Sequence, residues 1–271
     1  MLSPEILEYY ERGGEWHRLN AGAGRLEYLR TLDILDRVLP PAPARIVDVG
    51  GATGVYAKPL AEAGYQVHVV DPVPGHVTAS AALPGVTAVL GDARDLPAAD
   101  SSAAAVLLFG PLYHLFDRAD RVAAWREAVR VVRPGGVVAG AAISRFAPLF
   151  DGVNKSLFAE PDFPALVERV LADGVHNPGG RYPNWFTSAY THEPGELAAE
   201  ALEAGLTGVR TVAVEGPVWM TGPRLDEFLA DQRLTGIMMD MLRRVEHEPS
   251  LLGASSHLMT VGRRPGDLLG T

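Results

Sequence analysis

The chain has 271 residues, 47% hydrophobic and 21% charged, the balance of a globular protein with a sizeable core in one large α/β domain or two small ones. A formal net charge of -9 disfavours a nucleic-acid partner, whose phosphates call for a basic surface. The lack of cysteine excludes disulfides, thiolate metal sites and thiol nucleophiles. No stretch reaches the roughly 18 uninterrupted apolar residues of a membrane helix, and the start, Met1-Leu2-Ser3-Pro4-Glu5, lacks the basic and apolar regions of a secretion signal. The expectation is a cytoplasmic protein with no membrane partner, either monomer or homodimer.

Ser3, Pro4 and Glu5 read as an N-cap, an N1 proline and a first-turn acid. They open a short helix with Ile6, Leu7, Tyr10 and Trp16 on its apolar side. Glycines at 13, 14, 22 and 24 precede a second helix over 26–39, where Leu29, Leu32, Leu35 and Leu39 recur at three-four spacing. Residues 1–40 are thus expected to form a helical lid.

From 45 onward, apolar strands alternate with amphipathic helices. Strands are expected at 45–49, 66–70, 86–90, 103–109 and 137–142, with helices at 56–63 and 118–132 between them. The strand at 103–109 carries no charge, as a central strand buried on both faces requires. This repetition implies an α/β fold with a doubly wound, largely parallel sheet and right-handed crossovers.

The alternation breaks over 145–190, which carries eight of the twenty aromatic residues and five prolines. So long and apolar an insertion is expected to fold as a helical cap. The alternation resumes with a helix at 194–204, a strand at 209–214, a helix at 225–246 and a last strand at 257–261. The core is therefore expected to be 41–144 plus 191–271.

Three strand ends carry chemistry in order. After the first comes Asp48-Val49-Gly50-Gly51-Ala52-Thr53-Gly54, where glycines allow backbone to approach a ligand and adopt positive φ. Alone, such a turn suits any adenosine-bearing cofactor. Asp71, followed by Pro72, ends the second strand, where a carboxylate can accept both ribose hydroxyls. Gly91-Asp92-Ala93 follows the third, where an acid can accept from an adenine amino group and the next N–H can reach a ring nitrogen.

These residues resemble the class I S-adenosylmethionine-dependent methyltransferases, whose acidic-x-Gly-x-Gly-x-Gly motif is matched by Asp48-x-Gly50-x-Ala52-x-Gly54 with Ala52 at the middle glycine. The Arg133-Pro134-Gly135-Gly136 turn also sits where that family has its turn before strand five. The resemblance implies a Rossmann-like seven-stranded sheet whose last strand is antiparallel. It further implies S-adenosyl-L-methionine as cofactor and S-adenosyl-L-homocysteine as product. Gly50, Gly51 and Gly54 would lie along its methionine part, Asp71 and Pro72 at the ribose, and Asp92 and Ala93 at the adenine. Gly110-Pro111-Leu112-Tyr113-His114-Leu115 resembles a segment of a group of bacterial small-molecule methyltransferases. In that group this strand end faces the methyl donor, which makes Gly110, Tyr113 and His114 site residues. Further pieces shared with the group are 15–19, 189–192, Glu215-Gly216-Pro217 and 251–257.

Methyl transfer mainly requires alignment of an acceptor lone pair with the S–CH₃ bond. A base is needed only where the acceptor loses a proton. His114 is the first candidate, since imidazole titrates near neutrality, followed by His17 and His192. Tyr10, Trp16, Arg18, Trp185 and Tyr190 are the candidates for an enclosure around a small-molecule acceptor, with transfer to O or N favoured over C. No His-x-His, His-Glu-x-x-His or EF-hand pattern occurs, so no metal is expected. The alternatives are an NAD(P)-dependent oxidoreductase, whose Gly-x-Gly-x-x-Gly spacing is absent here, and a catalytically inactive adenosyl-cofactor-binding protein.

Overall fold

The computed structural model describes Ile6, residues 18–179, Tyr182 and residues 185–266. The first expected helix, apart from Ile6, lies outside the described residues.

Helix α1 (Gly22–Val38) leads into β1 (Arg45–Val49), α2 (Ala57–Glu62), β2 (Gln66–Asp71), α3 (Pro74–Ala81), β3 (Val86–Leu90) and β4 (Ala103–Leu108). Then come α4 (Arg118–Val131) and β5 (Val132–Ile143). The seven-stranded sheet has the order β3-β2-β1-β4-β5-β9-β8, where β8 is Thr207–Ala213 and β9 is His257–Arg263. Strands β1 to β5 run parallel, and β9 is antiparallel to both neighbours. The strand order reverses between β1 and β4, so their carboxyl ends diverge and open a crevice.

All six residues of β4 are buried, and alternation along the central strands builds two cores. Val47, Val49, Val106 and Leu108 pack with Trp125 of α4 and with Leu197 of α7 (Pro194–Glu203). Ile46, Ala105 and Leu107 pack on the other face with Ile34 and Leu35 of α1 and Leu60 of α2. Each fully buried Val or Leu contributes about 1.5–3 kcal/mol.

The insertion after β5 contains α5 (Ala147–Asn154) and α6 (Phe163–Asp173), as expected for a helical cap. It also holds an antiparallel pair, β6 (Val175–His176) with β7 (Ala189–Tyr190). Phe163, Leu166, Val167, Val170 and Trp185 form a small core of its own.

One expectation is corrected. The helix read over 225–246 is two helices, α8 (Pro223–Ala230) and α9 (Gln232–Val245). Asp231 between them has extended backbone, and its carboxylate accepts from the Arg233 and Leu234 amides at 2.8 and 3.0 Å. A short acidic side chain gains more as an N-cap than inside a helix.

Buried Arg30 ties α1 to this carboxyl-terminal region. Its Nε donates to the Val214 carbonyl at 2.9 Å, and its two terminal nitrogens reach Asp33 and Glu246 at 2.6 Å each. Arg37 also pairs with Glu246 at 2.6 Å. Burial pulls the Glu246 carboxyl up, but the two guanidiniums outweigh it and hold it below its ordinary value. Arg30→Ala would take a buried guanidinium from Asp33 and Glu246, leaving both paired with the more exposed Arg37, and is expected to cost about 2–4 kcal/mol in urea unfolding; a loss under about 1 kcal/mol would refute this role.

Candidate functional site

A cavity of about 580 Å³ opens at the carboxyl ends of the sheet strands, lined by the turns after β1, β2 and β4 and by the cap. At its floor Gly50 and Gly110 meet. Gly50 has φ +76 and Gly110 φ +152. A Cβ on Gly50 would lie 2.9 Å from Pro111 Cδ, and one on Gly110 would lie 3.1 Å from the Gly50 carbonyl oxygen. A side chain would clash at Gly50 and be strained at Gly110, so bare backbone faces the cavity there. Gly51 also lines it. Gly54 does not: its φ is +90 and a Cβ would come within 2.4 Å of Leu83 Cδ1, so it serves the packing of the turn against the α3–β3 connection.

Asp71 is buried at the end of β2 and lines the cavity beside Pro72. Its carboxylate accepts from the Ala52 amide at 3.0 Å and the Val73 amide at 2.9 Å, and Nδ1 of His76 lies at 3.1 Å. Ala52, at the family's middle glycine, has φ +48, a left-handed conformation that costs a non-glycine residue about 1–2 kcal/mol. The small side chain keeps the turn at the cost of strain.

Asp48, expected at the cofactor, lies under the turn and is absent from the cavity lining. It is fully buried, and neither carboxylate oxygen has a hydrogen-bond partner. Burial first, and the Asp71 charge second, push its carboxyl up to about 7. Asp92 and Ala93 line the cavity. Arg94 grips Asp92 through its backbone amide, Nε and Nη2 at 2.9, 2.8 and 2.7 Å and holds its carboxyl well below the usual range. Arg94 is also anchored by Asp120 at 2.7 Å; the sequence reading did not single it out.

After β4 the chain forms a 3₁₀ turn over Pro111–Tyr113. Tyr113 and His114 line the cavity. His114 is buried with Nδ1 3.3 Å from the Ser188 carbonyl, edge-on to Tyr113 and stacked with Phe186. Trp185 lines the cavity and stacks on Tyr182 at 3.8 Å. Arg18 lines it as well, paired with Glu27.

Two expected site residues face away. Ala189 and Thr191 line the cavity, whereas Tyr190 and His192 do not, because successive residues of an extended segment point to opposite sides. Tyr190 lies under the Arg121 guanidinium, 3.7 Å from its ring centroid, and its hydroxyl is 3.2 Å from Glu196. His192 is fully buried with Nε2 3.4 Å from Glu200 but without hydrogen-bond alignment. Burial lowers its pKa and favours the neutral ring, as a core histidine. Tyr10, Trp16 and His17 lie outside the described residues.

The cavity also holds a group that the sequence left without a role: Glu27 of α1, Glu215 after β8 and His257 at the start of β9. His257 Nδ1 is 2.6 Å from Glu215 Oε1 and 3.6 Å from Glu27 Oε2. The 2.6 Å contact is a short hydrogen bond between ring and carboxylate. Burial works against the charged ring, but Glu27 and Glu215 outweigh it and lift His257 to about 9. The signal that could have found the group was that Glu215 and His257 both lie in the shared segments 215–217 and 251–257.

Relief of the strain at Ala52 gives a direct test of the turn. Ala52→Gly is expected to stabilise the protein by about 1 kcal/mol in chemical denaturation, with ligand affinity retained; destabilisation would contradict the strained geometry.

Residues 46–136 match a sequence family described as methyltransferase domain. Uncharacterized methyltransferases of Mycobacterium bovis and Mycobacterium tuberculosis are 39% identical over 105 residues, which is 38% of this chain and 42% of theirs. The match thus spans less than half the length of these relatives. A solved Thermotoga maritima SAM-dependent methyltransferase, described as a possible histamine N-methyltransferase, superposes with a TM-score of 0.58 at 19% identity over 96% of this chain and 99% of that one. A Haemonchus contortus phosphoethanolamine N-methyltransferase solved with S-adenosylhomocysteine has a TM-score of 0.56 at 16% identity, over 97% of this chain and 61% of its own. Residues 46–136 are thus similar in sequence to a methyltransferase domain, and the chain shares its overall fold with solved S-adenosylmethionine-dependent methyltransferases.

Proposed function

We propose that this protein transfers a methyl group from S-adenosylmethionine to an oxygen or nitrogen of a small molecule held under the cap. The observation that carries the reading is the bare Gly50–Gly110 floor with Asp71 at the next strand end, in one cavity with the aromatic face of the cap. Gly50, Gly51 and Gly110 offer backbone without side chains to the amino-acid part of the cofactor. Asp71 offers a carboxylate to the ribose, and Asp92 with Ala93 borders the adenine end. A sulfonium methyl group is the alkylating equivalent that this cofactor supplies.

The protein's own task is alignment and enclosure. Tyr113 and His114 form the wall at the β4 end, and the Ser188 carbonyl fixes the His114 ring through Nδ1. The orientation of an acceptor beside the donor can account for several kcal/mol of barrier lowering. An NAD(P) site fits less well. The turn lacks its glycine spacing, and the Ala52 amide, one of the turn's N–H groups, is committed to Asp71.

Calorimetric titration separates these readings. S-adenosylmethionine and S-adenosylhomocysteine are expected to bind and NAD not to; the reverse order of affinity would overturn the proposal. Asp71→Ala is expected to weaken S-adenosylmethionine binding by about tenfold to a hundredfold, the worth of hydrogen bonds to a charged group, and unchanged affinity would remove Asp71 from the site. His114→Ala is expected to lower turnover by about tenfold or more with cofactor affinity kept; full activity would remove His114 from the reaction.

A further inference from the structure

The buried Glu215 carboxylate is held from both of its oxygens. One carboxylate oxygen accepts from the Ser255 hydroxyl at 2.8 Å and the His257 amide at 2.9 Å, and the other meets His257 Nδ1 at 2.6 Å. Ser255 is fixed in turn by the amides of Glu215 and Gly216 at 3.1 Å each. The imidazole is therefore oriented from behind through Nδ1, on a residue that lines the cavity and is only partly buried. Its remaining nitrogen, Nε2, is the atom such an arrangement presents for proton transfer. The surroundings are aromatic: Tyr113, Trp185, Phe186 and Trp219 line the same space.

We propose that His257 is the catalytic base for an aromatic acceptor bearing a hydroxyl group, with Glu215 as its positioning residue. The inference rests on the methyltransferase reading above and names its acceptor class. The hydroxyl proton passes to Nε2 while the acceptor oxygen forms its bond to the methyl carbon. The S–C bond breaks with its electron pair left on sulfur, and the proton then leaves from the imidazolium to solvent. Products are an aryl methyl ether, a thioether and one proton.

The charges around the ring favour this pairing. Glu27 and Glu215 raise the proton affinity of His257 and the Arg18 guanidinium opposes them, with a value of about 9 as the result. That lies close to a phenolic hydroxyl, whose ordinary value is about 10, so proton transfer between the two is nearly balanced. A cationic donor in the same cavity shifts the ring toward its neutral form. Because the working base is the neutral ring, turnover is expected to rise with pH by up to about tenfold per unit and level off near or below 9.

The test uses 4-nitrophenol, whose ionised form has its own visible absorption band, with and without S-adenosylhomocysteine. Wild type is expected to bind it as nitrophenolate with its ionisation shifted down by about one pH unit or more. His257→Gln is expected to abolish that shift and flatten the pH profile of methyl transfer to phenols. Glu215→Gln is expected to move the rise to lower pH and reduce kcat more than it changes KM. Calorimetry with S-adenosylmethionine on the same variants reports whether they are folded. Failure of wild type to bind that cofactor would count against the methyltransferase reading alone, since the nitrophenolate band is read without it. No nitrophenol binding by wild type, an equal band in His257→Gln, or activity that a chelator removes and a divalent cation restores would each overturn the proposal.

Discussion

Two backbones touch at the floor of the cavity, and the rest of the site depends on that contact. Strands β1 and β4 are neighbours in the sheet, yet the chain leaves them toward opposite faces. Gly50 and Gly110 approach closely because neither has a side chain; a methyl group on Gly50 would collide with Pro111, and one on Gly110 would crowd the Gly50 carbonyl. The contact leaves a slot walled by peptide groups at the strand-order reversal, where open α/β sheets bind ligands. The ends of β2, β3 and β5 then bring their side chains to the rim of that slot. Two layers of buried aliphatic residues keep the strand ends in register.

The protein is acidic, and the carboxylates at and beneath the cavity sit in different environments. Asp71 accepts hydrogen bonds from two turn amides. Asp48, close by and without any hydrogen bond, is pushed up to about 7 by burial and by the Asp71 charge. Arg94 grips Asp92 and lowers its pKa, and His257 with Ser255 does the same for Glu215. The site is thus electrostatically compartmented: Asp71 and Asp92 lie at the ends of β2 and β3, and the hydrogen-bonded Glu215–His257 pair lies apart from them at β9.

Much of the frame was legible because each strand is a short apolar run ended by a turn residue. Asp48, Gly50, Asp71, Asp92 and Gly110 could be placed at successive strand ends by spacing alone. What escaped has identifiable physical causes. Asp231 lies in a helix-period segment, and only its capping bonds reveal that the helix stops there. Aromatic and imidazole side chains suit a site, yet Tyr190 and His192 point away from the cavity. The phase of a short extended segment, which decides which side faces the cavity, is not written in its composition. Glu27, Glu215 and His257 come from three distant segments, and only the packing of α1 against the β8–β9 edge joins them. Ala52 was read as a tolerable substitute for glycine; its positive φ shows that the turn imposes the same backbone on either residue.

A crystal structure with S-adenosylhomocysteine and a bound phenol tests the central claim most directly, because it locates donor and acceptor in one cavity. The account predicts the ribose hydroxyls on Asp71, the cofactor's amino-acid part over Gly50 and Gly110, and the phenol oxygen within hydrogen-bond reach of His257 Nε2. A cofactor bound away from the Gly50–Gly110 floor, or a phenol oxygen directed to His114 with His257 untouched, would contradict it.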